Sequence, residues 1–221
     1  MRKLVVFLLV LIVALVALDR VAVAGVQRDL ANRIAAAADL DGPPTVTIES
    51  IPFLTQAVSG HYPEVRFDLG TLRYGGVPVK NLRGVAYDVT APLADVIQNR
   101  ADIRAGRMTI SGTLTRETID KYAPPGVKIS GNGQRLVASG ELAVGAQKVK
   151  FTAELKVQLV GSGIKLQATK IEGVPDQLAG FVTYTIPFKG KVPFDVKVTG
   201  VRSVPEGLEF SAEASDVPLR G

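Results

Sequence analysis

Residues 148–160 read KVKFTAELKVQLV, the cleanest alternation in the chain. Val149, Phe151, Ala153, Leu155, Val157 and Leu159 fall on one parity; Lys148, Lys150, Thr152, Glu154, Lys156 and Gln158 fall on the other. Period two sends one row of side chains to a core and the other to water, which defines a half-buried β-strand, whereas a helix repeats at 3.6. Gly161, Ser162 and Gly163 then turn the chain into a partner with Ile164, Leu166 and Ala168 facing inward, a hairpin.

Working outward, the same parity returns at Val65, Phe67 and Leu69; at Val85, Tyr87 and Val89; at Met108, Ile110 and Leu114; at Val192, Phe194, Val196 and Val198; and at Leu208, Phe210, Ala212 and Ala214. Many half-polar strands joined by short turns predict an antiparallel sheet with one wet face. Three short stretches read as helical: residues 92–99 from Pro92, residues 115–123 with a cap-like Thr115-x-x-Thr118 start, and residues 175–185 from Pro175.

The N-terminus differs in kind. Arg2 and Lys3 precede fifteen uncharged residues, 4–18, closed by Asp19 and Arg20. A positive flank before an apolar run has the form of an export signal. Ala22-Val23-Ala24 resembles a cleavage site, yet Val23, Val26, Leu30, Ile34 and Ala37 lie on one helical face running through it. Residues 1–24 are therefore read as a signal peptide or an uncleaved membrane anchor, and residues 25–221 as a single domain. In both cases the bulk of the chain is exported, to the periplasm or cell envelope.

Residues 39–44, DLDGPP, break the helix from the strands. A sheet apolar on one face needs a cover, and the chain offers one long amphipathic helix and three short ones. The expected fold is α+β: a strongly curved, mainly antiparallel sheet wrapped around the N-terminal helix, with short helices between strands. Such a wrap leaves either a filled core or an elongated apolar groove.

Composition narrows the chemistry. A net charge of +5 is mildly basic and lacks the concentrated stripe of a nucleic-acid binder. There is no cysteine, hence no disulfide and no thiol chemistry. His61, the only histidine, stands in a Gly-His-Tyr-Pro turn without a second ligand nearby in sequence. No Gly-x-Ser-x-Gly elbow or phosphate-cradling loop occurs; Gly131-Asn132-Gly133 reads as a hairpin turn, and Ser162-x-x-Lys165 falls on a turn and strand rather than a helix. We expect no catalytic residues, no metal and no cofactor.

What stands out is apolar residues where a turn wants polar ones. VTIESIPFLTQAVSG, residues 46–60, carries Ile51, Phe53 and Leu54 out of a strand and into a turn. GFVTYTIPFKGKVPF, residues 180–194, sets Phe181, Tyr184, Ile186 and Phe188 beside Lys189 and Lys191. An apolar lip next to two ammonium groups suits an amphiphile with an anionic head, its tail against the apolar side chains and its head near the lysines. The helix face of Val26, Leu30 and Ile34 would line the same groove. Equally, these residues could be ordinary core ends beneath a loop.

Two longer stretches bear on that choice. IPFLTQAVSGHYPEVRFDLGTLRYGGVPVKNLRGVAYDV, residues 51–89, resembles the opening of the LmeA-like phospholipid-binding family of actinobacterial envelope proteins, and VPFDVKVTGVRSVPEGLEFSAEASDVPL, residues 192–219, is similar to its closing hairpin. The pattern includes an exported helix with an Asp-Arg pair, here Asp19-Arg20. The resemblance implies a non-enzymatic extracytoplasmic protein at the outer face of the cytoplasmic membrane, binding phospholipid in a tubular lipid-binding-like groove and serving upkeep of mannosylated envelope glycolipids. It names no protein partner. The rival expectation is a non-catalytic envelope interaction protein with a dry core.

Overall fold

The computed structural model describes residues 2–49, 51–92, 103–132, 135–144, 147–160, 163–187 and 196–219. In chain order these form α1 (Arg2–Ala37), β1 (Thr45–Ile48), α2 (Phe53–Ser59), β2 (His61–Tyr74), β3 (Val77–Thr90), β4 (Arg104–Thr115), α3 (Arg116–Tyr122), β5 (Val127–Asn132), β6 (Arg135–Val144), β7 (Gln147–Val160), β8 (Gly163–Glu172), a 3-10 turn (Asp176–Phe181), β9 (Tyr184–Pro187), β10 (Val196–Val204) and β11 (Gly207–Pro218).

The strands make two antiparallel sheets. The first is ordered β1-β2-β3-β4-β11-β10 and the second β5-β6-β7-β8-β9. The second sheet is thus inserted between β4 and β10, and β11 returns to close the first sheet against β4, pairing Ala212 with Ile110 and Leu208 with Leu114. The stretch that opened the sequence reading is β7, with Phe151, Ala153 and Leu155 buried and Lys148, Lys150 and Lys156 in water. Its hairpin with β8 pairs Val157 with Leu166 and Leu159 with Ile164.

One of the two sheets is strongly curled into a half-barrel. Ladder irregularities at Asp68–Leu72 on β2, Lys80–Arg83 on β3 and Val198–Gly200 on β10 add local twist that a flat ladder would lack. The β2–β3 hairpin closes through Gly75 and Gly76, both at positive φ (60° and 86°), as a two-residue turn of matching twist requires. Gly84 has another reason to lack a side chain: a Cβ there would stand 2.3 Å from the Thr109 carbonyl oxygen and 2.5 Å from Phe67 Cζ. Gly84→Ala is expected to lower stability by about 1–3 kcal/mol through overpacking. The check is a fall in urea midpoint at constant denaturant slope; an unchanged midpoint would mean that Phe67 and the Thr109 carbonyl both give way without cost.

One core joins the sheets: Val79, Leu82, Leu114 and Leu208 of the first meet Ile129, Leu136, Phe151, Leu155, Ile164 and Leu166 of the second. A second cluster, including Ala86, Val89, Ala105, Met108, Ala214 and Val217, is built from β3, β4 and β11 of the first sheet. The long helix, the antiparallel pairing and the strong curvature are those read from the sequence. The helix packs on β1 and α2, where Val23 meets Ile48, Phe53 and Ala57, with Ala22, Leu30, Leu54, Tyr62 and Val65 at the edges. Residues 4–18 project from the fold with their side chains exposed, and α1 is long and apolar enough to cross a membrane.

Of the short helices, α3 starts as its sequence requires, the Thr115 hydroxyl accepting the Thr118 N–H at 3.2 Å. The stretch 175–185 becomes the 3-10 turn and then β9. There Thr183 ties to the neighbouring strand, its Oγ1 accepting the Ala168 N–H at 3.2 Å. Beyond Pro92, the expected helix at 92–99 lies outside the described residues.

Candidate functional site

Between the first sheet and the β7–β8 hairpin of the second lies a cavity of about 370 Å³. Strand parity builds it. Phe67, Leu69 and Leu72 come from β2, Val79 and Leu82 from β3, Met108, Ile110 and Leu114 from β4, Val196, Val198 and Val201 from β10, and Leu208, Phe210 and Ala212 from β11. Val157, Ile164 and Leu166 close the far wall. Among the described residues Tyr74, with its phenol, is the one lining side chain that carries a polar group, and none of them that lines the cavity is charged. The wall they form is apolar. It can hold hydrocarbon, at about 0.8 kcal/mol per methylene taken from water.

A second hollow, about 530 Å³, lies over the solvent-facing residues of the first sheet, among Thr45, Arg66, Asp68, Arg83, Ser211 and Glu213. Its charges are of mixed sign, so it favours neither a tail nor an anion.

None of the described residues singled out from the turns lines the apolar cavity. Phe53 is buried and Leu54 half-buried beside Val23 of α1, and the Phe53 and Tyr62 rings stand 6.1 Å apart. Leu30 joins this cluster, Ile34 is half-buried and Val26 is exposed. Ile51, before a cis bond to Pro52, is 78% exposed. Ile186 and Tyr184 sit one strand beyond the far wall, paired with Ile164 and Leu166. Ile186 is fully buried, while Phe181 is exposed. Phe188, Lys189 and Lys191 lie outside the described residues. Thus much of the cavity lining was visible as parity, but Leu72, Val79, Leu82 and Val201 were not, and on β3 the ladder irregularity turns Ala86 inward and leaves Val85 in the polar hollow. The described turn residues fall into three other groups: core at the α1–α2 junction, main core at Tyr184 and Ile186, and apolar side chains in water.

Sequence reasoning named the Asp19-Arg20 pair but not what Asp19 does. It is buried although ionisable, and its partners explain why that is tolerated. Pro52 gives α2 no side-chain cap, and Asp19 Oδ1 accepts the Leu54 N–H at 2.8 Å in its place. Arg20 pairs with the same carboxylate, its Nε 3.2 Å from Oδ2. One helix thus supplies the cap of another. The available signal was an acidic residue four positions before Val23, on the packing face of α1.

Among the other polar groups, burial pushes the Tyr184 phenol well above its ordinary range, helped by the negative charge of Asp120. Its hydroxyl is buried without a hydrogen-bond partner among the described residues and stays neutral at physiological pH. His61 starts β2 on the surface, its Nε2 3.8 Å from Asp88 Oδ1. Among the described residues no three His, Cys, Asp or Glu side chains gather as a metal site would need.

Comparison with curated proteins and with solved structures gave no match. A family model described as LmeA-like phospholipid-binding matches residues 17–213, from just before the Asp19–Arg20 pair into β11. That match covers nearly the whole chain, and the chain belongs to the LmeA-like phospholipid-binding family.

Proposed function

We propose that this protein is a non-enzymatic phospholipid binder of the extracytoplasmic space, taking an acyl chain into the cavity between its sheets. The cavity carries the reading: among the described residues its lining is apolar save one phenol, and it brings together side chains from both sheets. A dry-core interaction protein would fill this volume, because an apolar void forfeits packing contacts. Family membership supports phospholipid as the ligand. In the proposed arrangement Lys189 and Lys191 meet an anionic head group, residues 25–221 form the lipid-binding domain, and α1 leads the chain through the cytoplasmic membrane to its outer face. Carrying or sensing phospholipid there would serve the upkeep of mannosylated envelope glycolipids.

Neighbouring positions on β7 give the test. A photo-activatable phenylalanine analogue at Val157, which lines the cavity, should yield a phospholipid adduct by mass spectrometry of the intact chain expressed in a bacterial membrane. The same analogue at Lys156, which faces water, should yield little. Adducts rich in anionic head groups in the parent, and poorer in them after Lys189→Glu and Lys191→Glu, would support the head-group assignment. A folded protein with no adduct at Val157 would return the reading to a dry core.

A further inference from the structure

Ile51 and Val58 are 78% and 83% exposed. An isolated exposed aliphatic residue means little; the position of these two is what matters. Ile51 stands just before α2 and Val58 in its last turn, while the inner side of the helix, Phe53 and Ala57, is packed on α1 and β1. The start of α2 is fixed by the bond from Leu54 N–H to Asp19, and Asp19 is the first residue after the apolar run 4–18.

Fifteen helical residues rise about 22 Å, less than the roughly 30 Å of a bilayer's hydrocarbon core. If α1 crosses a membrane with Arg2 and Lys3 on the cytoplasmic side, as positive flanks dictate, Asp19 and Arg20 have no slack to stand clear of the far surface. They sit at head-group depth, and α2, bonded to Asp19, sits there too. The exposed side chains at its two ends then meet lipid rather than water.

The same contacts bear on the fate of residues 1–24. A cut before Gly25 would remove Asp19 and Val23 together. The Leu54 N–H would lose its acceptor and Phe53 one wall of its pocket. A segment destined for removal does not ordinarily supply a buried carboxylate and a core side chain to what remains.

We propose that α1 is retained and that the α1–α2 junction is a membrane-seating surface, held by Asp19, in which Ile51 and Val58 dip into the outer leaflet. This rests on reading α1 as a membrane-crossing helix and is independent of whether the cavity holds an acyl chain.

The absence of cysteine makes the test direct. Single variants Ile51→Cys, Val58→Cys and, as a water-facing reference on β7, Lys156→Cys are labelled with an environment-sensitive fluorophore. The full chain is reconstituted into phosphatidylcholine–phosphatidylglycerol vesicles containing a nitroxide-bearing lipid. Labels at 51 and 58 should emit to the blue of the label at 156 and be quenched several-fold more strongly. Adding Asp19→Ala should reduce that quenching while the chain stays in the membrane and still gives its adduct at Val157. Intact mass of the chain recovered from cell membranes should include residues 1–24. A recovered chain beginning at Gly25 overturns the proposal, as do labels at 51 and 58 quenched no more than at 156. Loss of the Val157 adduct with seating intact counts against the cavity reading alone.

Discussion

Ala212→Phe should lower phospholipid capture about a hundredfold and leave the fold in place. Ala212 is buried on β11 and lines the cavity between its cross-strand partners Ile110 and Val198. A phenyl ring grown from that position projects into the void. If it excludes roughly four methylenes of an acyl chain at about 0.8 kcal/mol each, affinity falls by about 3 kcal/mol, slightly over a hundredfold. Stability should hold or rise, because filling an apolar cavity restores contacts its lining lacks. Thr199→Phe in the polar hollow is the matched control, adding a similar ring without narrowing the apolar cavity. The readouts are adduct yield at Val157 and the urea midpoint. Capture unchanged with Ala212→Phe folded would place the lipid elsewhere, and the exposed turn residues would become the first alternative.

The strands were legible because each is decided locally: β7 needs only its own alternation, and the β7–β8 hairpin only the glycines that follow it. The division into two sheets was not, since the pairing of β4 with β11 joins positions about a hundred residues apart through partners that parity alone does not name. The cavity hid for a related reason. Many of the lining residues read as inward strand positions, but a void is set by the summed volumes of side chains from seven strands, and no single stretch contains that sum. At residues 51–54 the apolar character was clear and its assignment was not. The helix α2 begins at Phe53, so helical spacing pairs Phe53 with Ala57 in the interior, while Ile51, ahead of the helix, is left in water. The stripe on α1 was equally visible, but a stripe states that a helix packs and not what it packs on.

That contact between α1 and α2 supports the second large effect expected here. Phe53→Ala in the full chain should cost about 3–5 kcal/mol, because the ring is 3% exposed in a pocket formed with Val23, Ile48 and Ala57, with Tyr62 at its edge. In a chain that starts at Gly25, Val23 is gone and the pocket is open on one side before the substitution is made. The same change should then cost less, and the difference between the two costs is a coupling energy in the range of about 0.5–3 kcal/mol for groups in contact. Hydrogen exchange on both chains, in the same detergent, reads the opening free energies of α2 and β1 segment by segment. The Leu54 amide offers a sharper signal: it is protected in the full chain by Asp19 and loses its acceptor in the shorter one. Equal costs for Phe53→Ala in both chains, with the Leu54 amide exchanging at the same rate, would mean that residues 1–24 contribute nothing to the junction. Unequal costs would make the N-terminal helix part of the folded unit, joined to the sheets through one carboxylate and one valine.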